Sequence, residues 1–347
     1  MFKQFGGKIS EEEKKRFSKS ESWNGEKFLN IETTSMDISP IKMPKLLYKQ
    51  FFENNGRKPK QKLPVAPFNS TSFLAPSEDV KFIWYGHSVV LLRINGKTLL
   101  IDPMFGTNAA PISPIATKRF SENTLEIIND LPEIDIVLLT HDHYDHLDYE
   151  SLQLLLPKVK NYYVALGCAR HLIEWGVDAQ KIQEFDWWDD QSFGAIKITF
   201  TPTRHFSGRG LTDRAKSLWG GWVIKTATEN LYFTGDSGYG SHFKAVGDQL
   251  GPFDFAFVEC GQYNQNWHLI HMFPEEGIQV AKDARIARIM PVHWAGFALA
   301  QHTWTDPVER FIAEATKQNI PFSTPKLGEL FTLKTFLAQN NWWEDYK

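Results

Sequence analysis

Seven consecutive residues, Thr140-His141-Asp142-His143-Tyr144-Asp145-His146, constrain this chain more than any other stretch. They follow the apolar run 136–139, which reads as a strand, so three imidazoles and two carboxylates arrive together at a strand end. Burying so many polar groups without partners costs about 1–3 kcal/mol each, and a metal ion supplies a partner. Imidazole mixed with carboxylate suits zinc or a neighbouring first-row metal, whereas calcium takes oxygen ligands. In the spacing His-x-His-x-Asp-His, His141 and His143 can point to one side of an extended loop while Asp145 and His146 enter the next turn. That division suits two adjacent metals.

Two such ions need roughly seven or eight ligand positions, so further donors must come from afar. Three candidates end strands: His205 after 196–203, Asp236 in Thr234-Gly235-Asp236-Ser237-Gly238, and His293 after 289–292. Gly235 and Gly238 let the backbone approach closely there.

The rest of the chain bounds the partners. With 42% hydrophobic and 23% charged residues among 347, it can bury a sizeable core, and disorder throughout is excluded. A net charge of -3 with no basic stripe argues against nucleic acid as partner and against a nuclease. Cys168 and Cys260 are too few for a disulfide scaffold or a Cys-rich metal site and are expected as small core residues in a reducing compartment. The first 17 residues lack the apolar stretch of a signal peptide, and no run of about 18 apolar residues occurs, so a cytoplasmic address is expected. The 26 Phe and 12 Trp suit mostly core packing, with pocket walls as their second use.

Residues 1–75 read as an extension packed on a domain spanning 76–347. Positions 1–70 carry 14 basic and 8 acidic side chains, a local charge of +6. Their one periodic segment, 43–52, reads as a short amphipathic helix opened by Pro44. This basic and aromatic mix could touch a lipid headgroup surface; an arm lying on its own domain is the weightier alternative. Removing 1–60 is expected to leave hydrolysis of a small soluble diester largely intact. From Val80 onward, strands are expected at 82–85, 89–94, 98–101, 136–139, 162–166, 196–201, 222–226, 231–234 and 253–258, with Asn95-Gly96 as a hairpin turn. Helices are expected at 151–156, 171–175 and 274–286, the last opening on Pro274, Glu275 and Glu276. This interleaving predicts one α/β domain with two layers of sheet and outer helices.

The His-x-His-x-Asp-His motif, followed by His205, Thr234-Gly235-Asp236 and Pro291-Val292-His293, resembles the metallo-β-lactamase superfamily over about residues 80–335. The stretches 84–89, 101–103, 218–221, 251–254, 271–276 and 293–300 resemble the branch of N-acyl-phosphatidylethanolamine-hydrolysing phospholipase D enzymes and their bacterial relatives. The resemblance implies the αββα sandwich of two mixed sheets flanked by helices. It also implies that His141, His143 and His205 hold one metal and Asp145, His146 and His293 the other, with Asp236 bridging. Two zinc ions are the expected cofactors, with manganese as the alternative. A histidine at the place of His271 lies, in that family, beside the metals and near the substrate.

Arg204, Arg209, Arg214 and Lys216 cluster around His205, and guanidinium groups bind phosphate bidentately. Arg209, Trp219 and His271 are the expected substrate contacts. Asp145 or His271 would manage a proton. Asp142 is expected to bond a ligand histidine, His87 to make a structural hydrogen bond, and Asp102 to orient the metal loop. His242, His268 and His302 are expected at the surface or rim, and Trp187, Trp188 and Trp267 in the core or at a groove. The function this implies is phospholipase D-type phosphodiester hydrolysis of an N-acyl-phosphatidylethanolamine-like lipid, by an enzyme acting alone or as a homo-oligomer. The alternatives are a lactonase acting on a phosphorylated sugar lactone, or a non-enzymatic metal-dependent binding module.

Overall fold

The computed structural model describes residues 3–37, 44, 48, 56–110, 117–210, 212–335 and 340–347. The amphipathic helix expected over 43–52 lies almost wholly outside them. Strands β1 (Lys81–Trp84), β2 (Val90–Ile94), β3 (Lys97–Ile101), β4 (Ile134–Leu139), β5 (Val159–Ala165) and β6 (Ile182–Phe185) form the first sheet in sequential order. The second sheet runs in the order β12-β11-β10-β9-β8-β7, from β7 (Asp190–Phe193), β8 (Ile196–Thr201), β9 (Gly221–Lys225), β10 (Asn230–Phe233), β11 (Phe255–Glu259) and β12 (Ile289–Val292). A last short strand, β13 (Leu330–Thr332), returns to pair antiparallel with β1. This is the αββα architecture expected, with helices flanking two mixed sheets.

Local chemistry explains the elements that matter for the site. The β2–β3 hairpin turns at Asn95 and Gly96, both with positive φ (46° and 69°), as a two-residue turn between right-twisted strands requires. β3, β4 and β5 are parallel, and β4 is buried at all six positions, so it reads as a continuous apolar run. In the second sheet β9 runs antiparallel to both β8 and β10, while β10, β11 and β12 are parallel. The C-terminal ends of β8, β10, β11 and β12 therefore share one edge. Between the sheets the core is aromatic: Phe82 of β1 stacks on Phe255 of β11 at 5.2 Å and meets Phe257 edge-on at 5.4 Å.

Helices cover the outer faces. Those with described bounds are, in chain order, α1 (Glu11–Phe17), α2 (Ser70–Leu74), α3 (Thr124–Asp130), α4 (Tyr149–Leu155), α5 (Ala169–Glu174), α6 (His242–Leu250), α7 (Pro274–Asp283) and α8 (Asp306–Lys317). α7 opens as its sequence suggests: Pro274 occupies the first turn, and the Glu276 carboxylate accepts the Phe273 N–H at 2.7 Å. Among the described residues no helix is long and apolar enough to cross a membrane.

The N-terminal arm is not a solvated strap. Its α1 is fixed by a reciprocal cap, Ser10 N–H to Glu13 at 2.7 Å and Glu13 N–H to Ser10 Oγ at 3.1 Å. Phe17 and Phe28 are fully buried with ring centroids 5.2 Å apart, and both belong to the hydrophobic core. Removing a buried Phe side chain costs about 3–5 kcal/mol, so the expectation that hydrolysis stays largely intact without 1–60 does not fit this packing.

Candidate metal centre

Strand ends deliver every donor to one edge of the sandwich. The loop after β4 carries His141, His143, Asp145 and His146; the chain beyond β8 carries His205; Asp236 follows β10, and His293 directly follows β12. Glycine is required at two places in the Asp236 turn. A Cβ on Gly235, which has φ +65°, would lie 2.3 Å from Gly220 O, and one on Gly238 would lie 2.0 Å from Leu269 O.

The donors fall into two groups joined by one oxygen. His141 Nε2 and His205 Nε2 lie 2.9 and 3.2 Å from His143 Nδ1. His146 Nε2 and His293 Nε2 each lie 3.1 Å from Asp236 Oδ2, and Asp145 Oδ2 is 3.6 and 3.3 Å from the same two nitrogens. Asp236 Oδ2 is also 3.9 Å from both His141 Nε2 and His205 Nε2, so it faces both groups. Donors about 2.1 Å from one ion at tetrahedral angles stand about 3.4 Å apart, close to the spacing seen.

Hydrogen bonds on the far side of the rings fix which nitrogen faces inward. Thr140 donates its hydroxyl to Asp102 Oδ2 at 2.7 Å, so Thr140 Oγ1 accepts Nδ1–H of His141 at 3.0 Å. His205 donates Nδ1–H to Ile270 O at 2.9 Å, and His146 donates Nδ1–H to Asp102 at 2.8 Å. Bare Nε2 atoms of His141 and His205 thus converge on His143 Nδ1, and at most one proton can lie among the three. A divalent ion would accept all three lone pairs, so the residues present fit a metal. Asp102 orients the loop as expected.

The electrostatics divide along the same line. Burial and neighbouring imidazoles push His141 and His205 well below the ordinary histidine range, and burial takes His143 down to about 4, so all three are neutral. Burial also opposes charge on His293, but Asp236, Asp145 and Glu259 outweigh it and push the imidazole up to about 10. His146 is raised in the same way against its burial, by Asp236, Asp145 and Asp102. Burial opposes the charge of Asp236, yet His146 and His293 hold it well below the usual carboxylate range.

Around this centre, His87 donates Nε2–H to Asp145 Oδ2 at 2.8 Å, and burial holds its pKa near 3. His87 and His293 both adopt positive φ (54° and 66°) and are locked by two backbone bonds, His87 N to Trp294 O at 2.7 Å and His293 N to His87 O at 2.9 Å. Glu259, at the end of β11, had no motif to mark it. Its wholly buried carboxylate accepts Nδ1–H of His271 through a short bond, stands 3.3 Å from His293 Nδ1, and accepts Ser237 N–H at 2.5 Å.

Two cavities meet at the centre. A space of about 190 Å³ is walled by His143, Asp145, Asp236, His271 and His293, and a larger one of about 630 Å³ runs under the arm past Trp219 and Arg214. They share Met36, Phe206 and Ile270. His271 and Trp267 line the smaller space and Trp219 the larger. Trp187 lies behind Trp219, donating Nε1–H to its carbonyl at 2.6 Å.

Arg209 is a correction. It is buried, stacks on Tyr144 and Trp175, donates Nη1–H to the carbonyls of Asp142 and Leu147 at 2.6 and 2.7 Å, and lines neither cavity, so it stands behind the metal loop and not in the wall where a substrate contact was expected. Asp142 is another: its carboxylate accepts from Gly208 N, Ser217 Oγ and His171 Nε2 at 2.7, 2.5 and 3.2 Å and meets no member of the donor groups. His242 is buried, not at the rim, with Nε2 3.0 Å from Ser237 Oγ. Arg204 is tied to the arm, leaving Arg214, stacked 3.7 Å above Phe206, as the guanidinium in the cavity wall.

Such a fold with such a donor cluster defines a metal-dependent hydrolase. The Beta-lactamase superfamily domain matches residues 97–294, and the chain belongs to the metallo-β-lactamase superfamily. It is 31% identical to an uncharacterized protein of Mycobacterium tuberculosis, over 91% of this chain and 85% of that one. It is equally 31% identical to N-acyl-phosphatidylethanolamine-hydrolyzing phospholipase D 1 of Caenorhabditis elegans, over 78% of this chain and 80% of that one. The fold is also that of Igni18, a metallo hydrolase from Ignicoccus hospitalis, with a TM-score of 0.56 at 20% identity over 73% of this chain and 97% of that one.

The raised pKa of His293 sets a sign for metal uptake. Near pH 7 the metal-free site holds a proton that an incoming ion must displace. Calorimetric titration of zinc into metal-free protein should therefore show heats that vary with buffer ionisation enthalpy, with net proton release and weaker binding as pH falls. Identical heats in all buffers would contradict this assignment.

Proposed function

We propose that this protein is a dinuclear zinc phosphodiesterase of phospholipase D type, cleaving N-acyl-phosphatidylethanolamine-like lipids to a phosphatidic acid and an N-acylethanolamine-like alcohol. His141, His143 and His205 would hold one ion and Asp145, His146 and His293 the other, with Asp236 between them; manganese fits the same donors. The observation that carries the reading is the shared wall of the two cavities. Apolar Met36, Phe206 and Ile270 join the donor cluster to a long space with Arg214 in its wall, which suits a phosphodiester with an apolar tail. Leu29 and Ile31, exposed by 44% and 60%, line that same space and suit entry from a lipid surface. The relatives that hydrolyse N-acyl-phosphatidylethanolamine support the same substrate class.

Bound ions of this kind activate a water and stabilise negative charge on phosphoryl oxygens. The chain's own residues do the rest. Asp145 is engaged through Oδ2 by His87 and His293, which fits a donor to metal better than a proton carrier. His271 is anchored to Glu259 through Nδ1, which leaves Nε2 as the nitrogen that exchanges a proton with the departing oxygen. Glu259 thereby positions both His271 and His293.

A substrate panel on zinc-reconstituted protein tests the reaction. Bis(p-nitrophenyl) phosphate and N-acyl-phosphatidylethanolamine should both be hydrolysed, and a phosphorylated sugar lactone should not. Turnover of the lactone alone would overturn the reading in favour of a lactonase, and turnover of none would favour a binding module. His271→Ala should lower turnover of the lipid about 10²–10⁴-fold at unchanged metal content, with a smaller loss for the p-nitrophenyl ester, whose leaving group departs without a proton. Equal losses on both substrates together with a lowered melting temperature would mark His271 as structural.

A further inference from the structure

The N-terminal arm reaches the metal centre at two points. Its Asn30 side chain pairs with both backbone groups of His205: Nδ2 donates to His205 O at 2.8 Å, and Oδ1 accepts His205 N–H at 3.0 Å. The same Oδ1 accepts Trp219 Nε1–H at 3.0 Å. Just beyond, Arg204 donates to Thr33 O at 2.6 Å and Thr34 Oγ1 at 3.0 Å, while Glu32 accepts from the backbone and hydroxyl of Ser241 at 2.7 and 2.6 Å. At the arm's start, Gln4 O accepts Arg209 Nε–H at 2.9 Å, and Arg209 in turn holds the carbonyls at either end of the metal loop.

His205 lies four residues beyond the end of β8, where no sheet ladder pairs its backbone. A buried N–H and C=O must find partners, and Asn30 supplies both. The imidazole direction then follows, since the backbone is fixed by Asn30 and the ring by Ile270 O. The structure assigns the arm to the metal-binding machinery, with Asn30 as the positioning residue of His205. Asn30 bonds none of Asp145, His146 and His293, so its effect belongs to one group of donors only.

This inference rests on the dinuclear reading, and zinc affinity in the full-length protein separates the two. Unaltered protein should bind two zinc ions in competition with a chromophoric chelator; binding none would sink the metal reading itself. In Asn30→Ala one of the two ions should bind about 10-fold or more weakly, the range for loss of an orienting partner, and the other should be unchanged. Asn30→Asp, which keeps both Oδ1 bonds but sets a second acceptor oxygen against His205 O, should weaken the same ion and leave the other unchanged, and excess zinc should restore turnover in both variants. Should the Ala variant fail to fold, the Asp variant decides by the same comparison. Two ions bound as tightly as in unaltered protein, or both weakened alike, would overturn the role of Asn30.

Discussion

Oδ2 of Asp236 stands 3.1 Å from two imidazole nitrogens and 3.9 Å from two others, inside a largely buried cluster that no apolar core could tolerate. Holding that oxygen between the two groups sets demands on the rest of the fold. β10 must end where β8, β11 and β12 also end, and the β4 loop must meet them from the opposite sheet. The two glycines flanking Asp236 exist because neighbouring backbone runs where a Cβ would stand. The aromatic packing of β1 on β11 keeps the sheets in register so that the loops coincide.

Behind the donors sits a ring of groups that fix their orientation. Asp102 and Thr140 aim His141 and His146, Ile270 O aims His205, Glu259 aims His271 and His293, and His87 holds Asp145. Such partners are commonly as necessary to a metal site as the ligands themselves. His87 and His293 share left-handed geometry at the same place and are tied by His293 N–H to His87 O and His87 N–H to Trp294 O. Trp294, next to His293, is packed by Trp342 and Trp343 of the C-terminal tail, so both chain ends brace the centre.

The donors were legible because imidazole and carboxylate at strand ends have a local spacing. The strands beside them were legible because a continuous apolar run or an Asn-Gly turn is a short-range signal. β6, β7 and β13 escaped, being short and only partly buried, and α1 escaped although Ser10-x-x-Glu13 is a local cap signal. Glu259 and Asn30 had no such signal: Asn30 acts across 175 positions, and a buried glutamate has no spacing to betray it. Arg209 misled because guanidinium chemistry fits phosphate and backbone carbonyls equally well, and only burial distinguishes them. The same holds for Asp142, whose place inside the motif said nothing of the direction its carboxylate takes.

Anomalous diffraction from crystals of zinc-loaded protein, recorded on both sides of the zinc edge, tests the central claim most directly. The geometry predicts two anomalous peaks about 3.5–4 Å apart with the Asp236 carboxylate between them, one beside His141, His143 and His205 and the other beside Asp145, His146 and His293. A single peak, or peaks away from Asp236, would contradict the account.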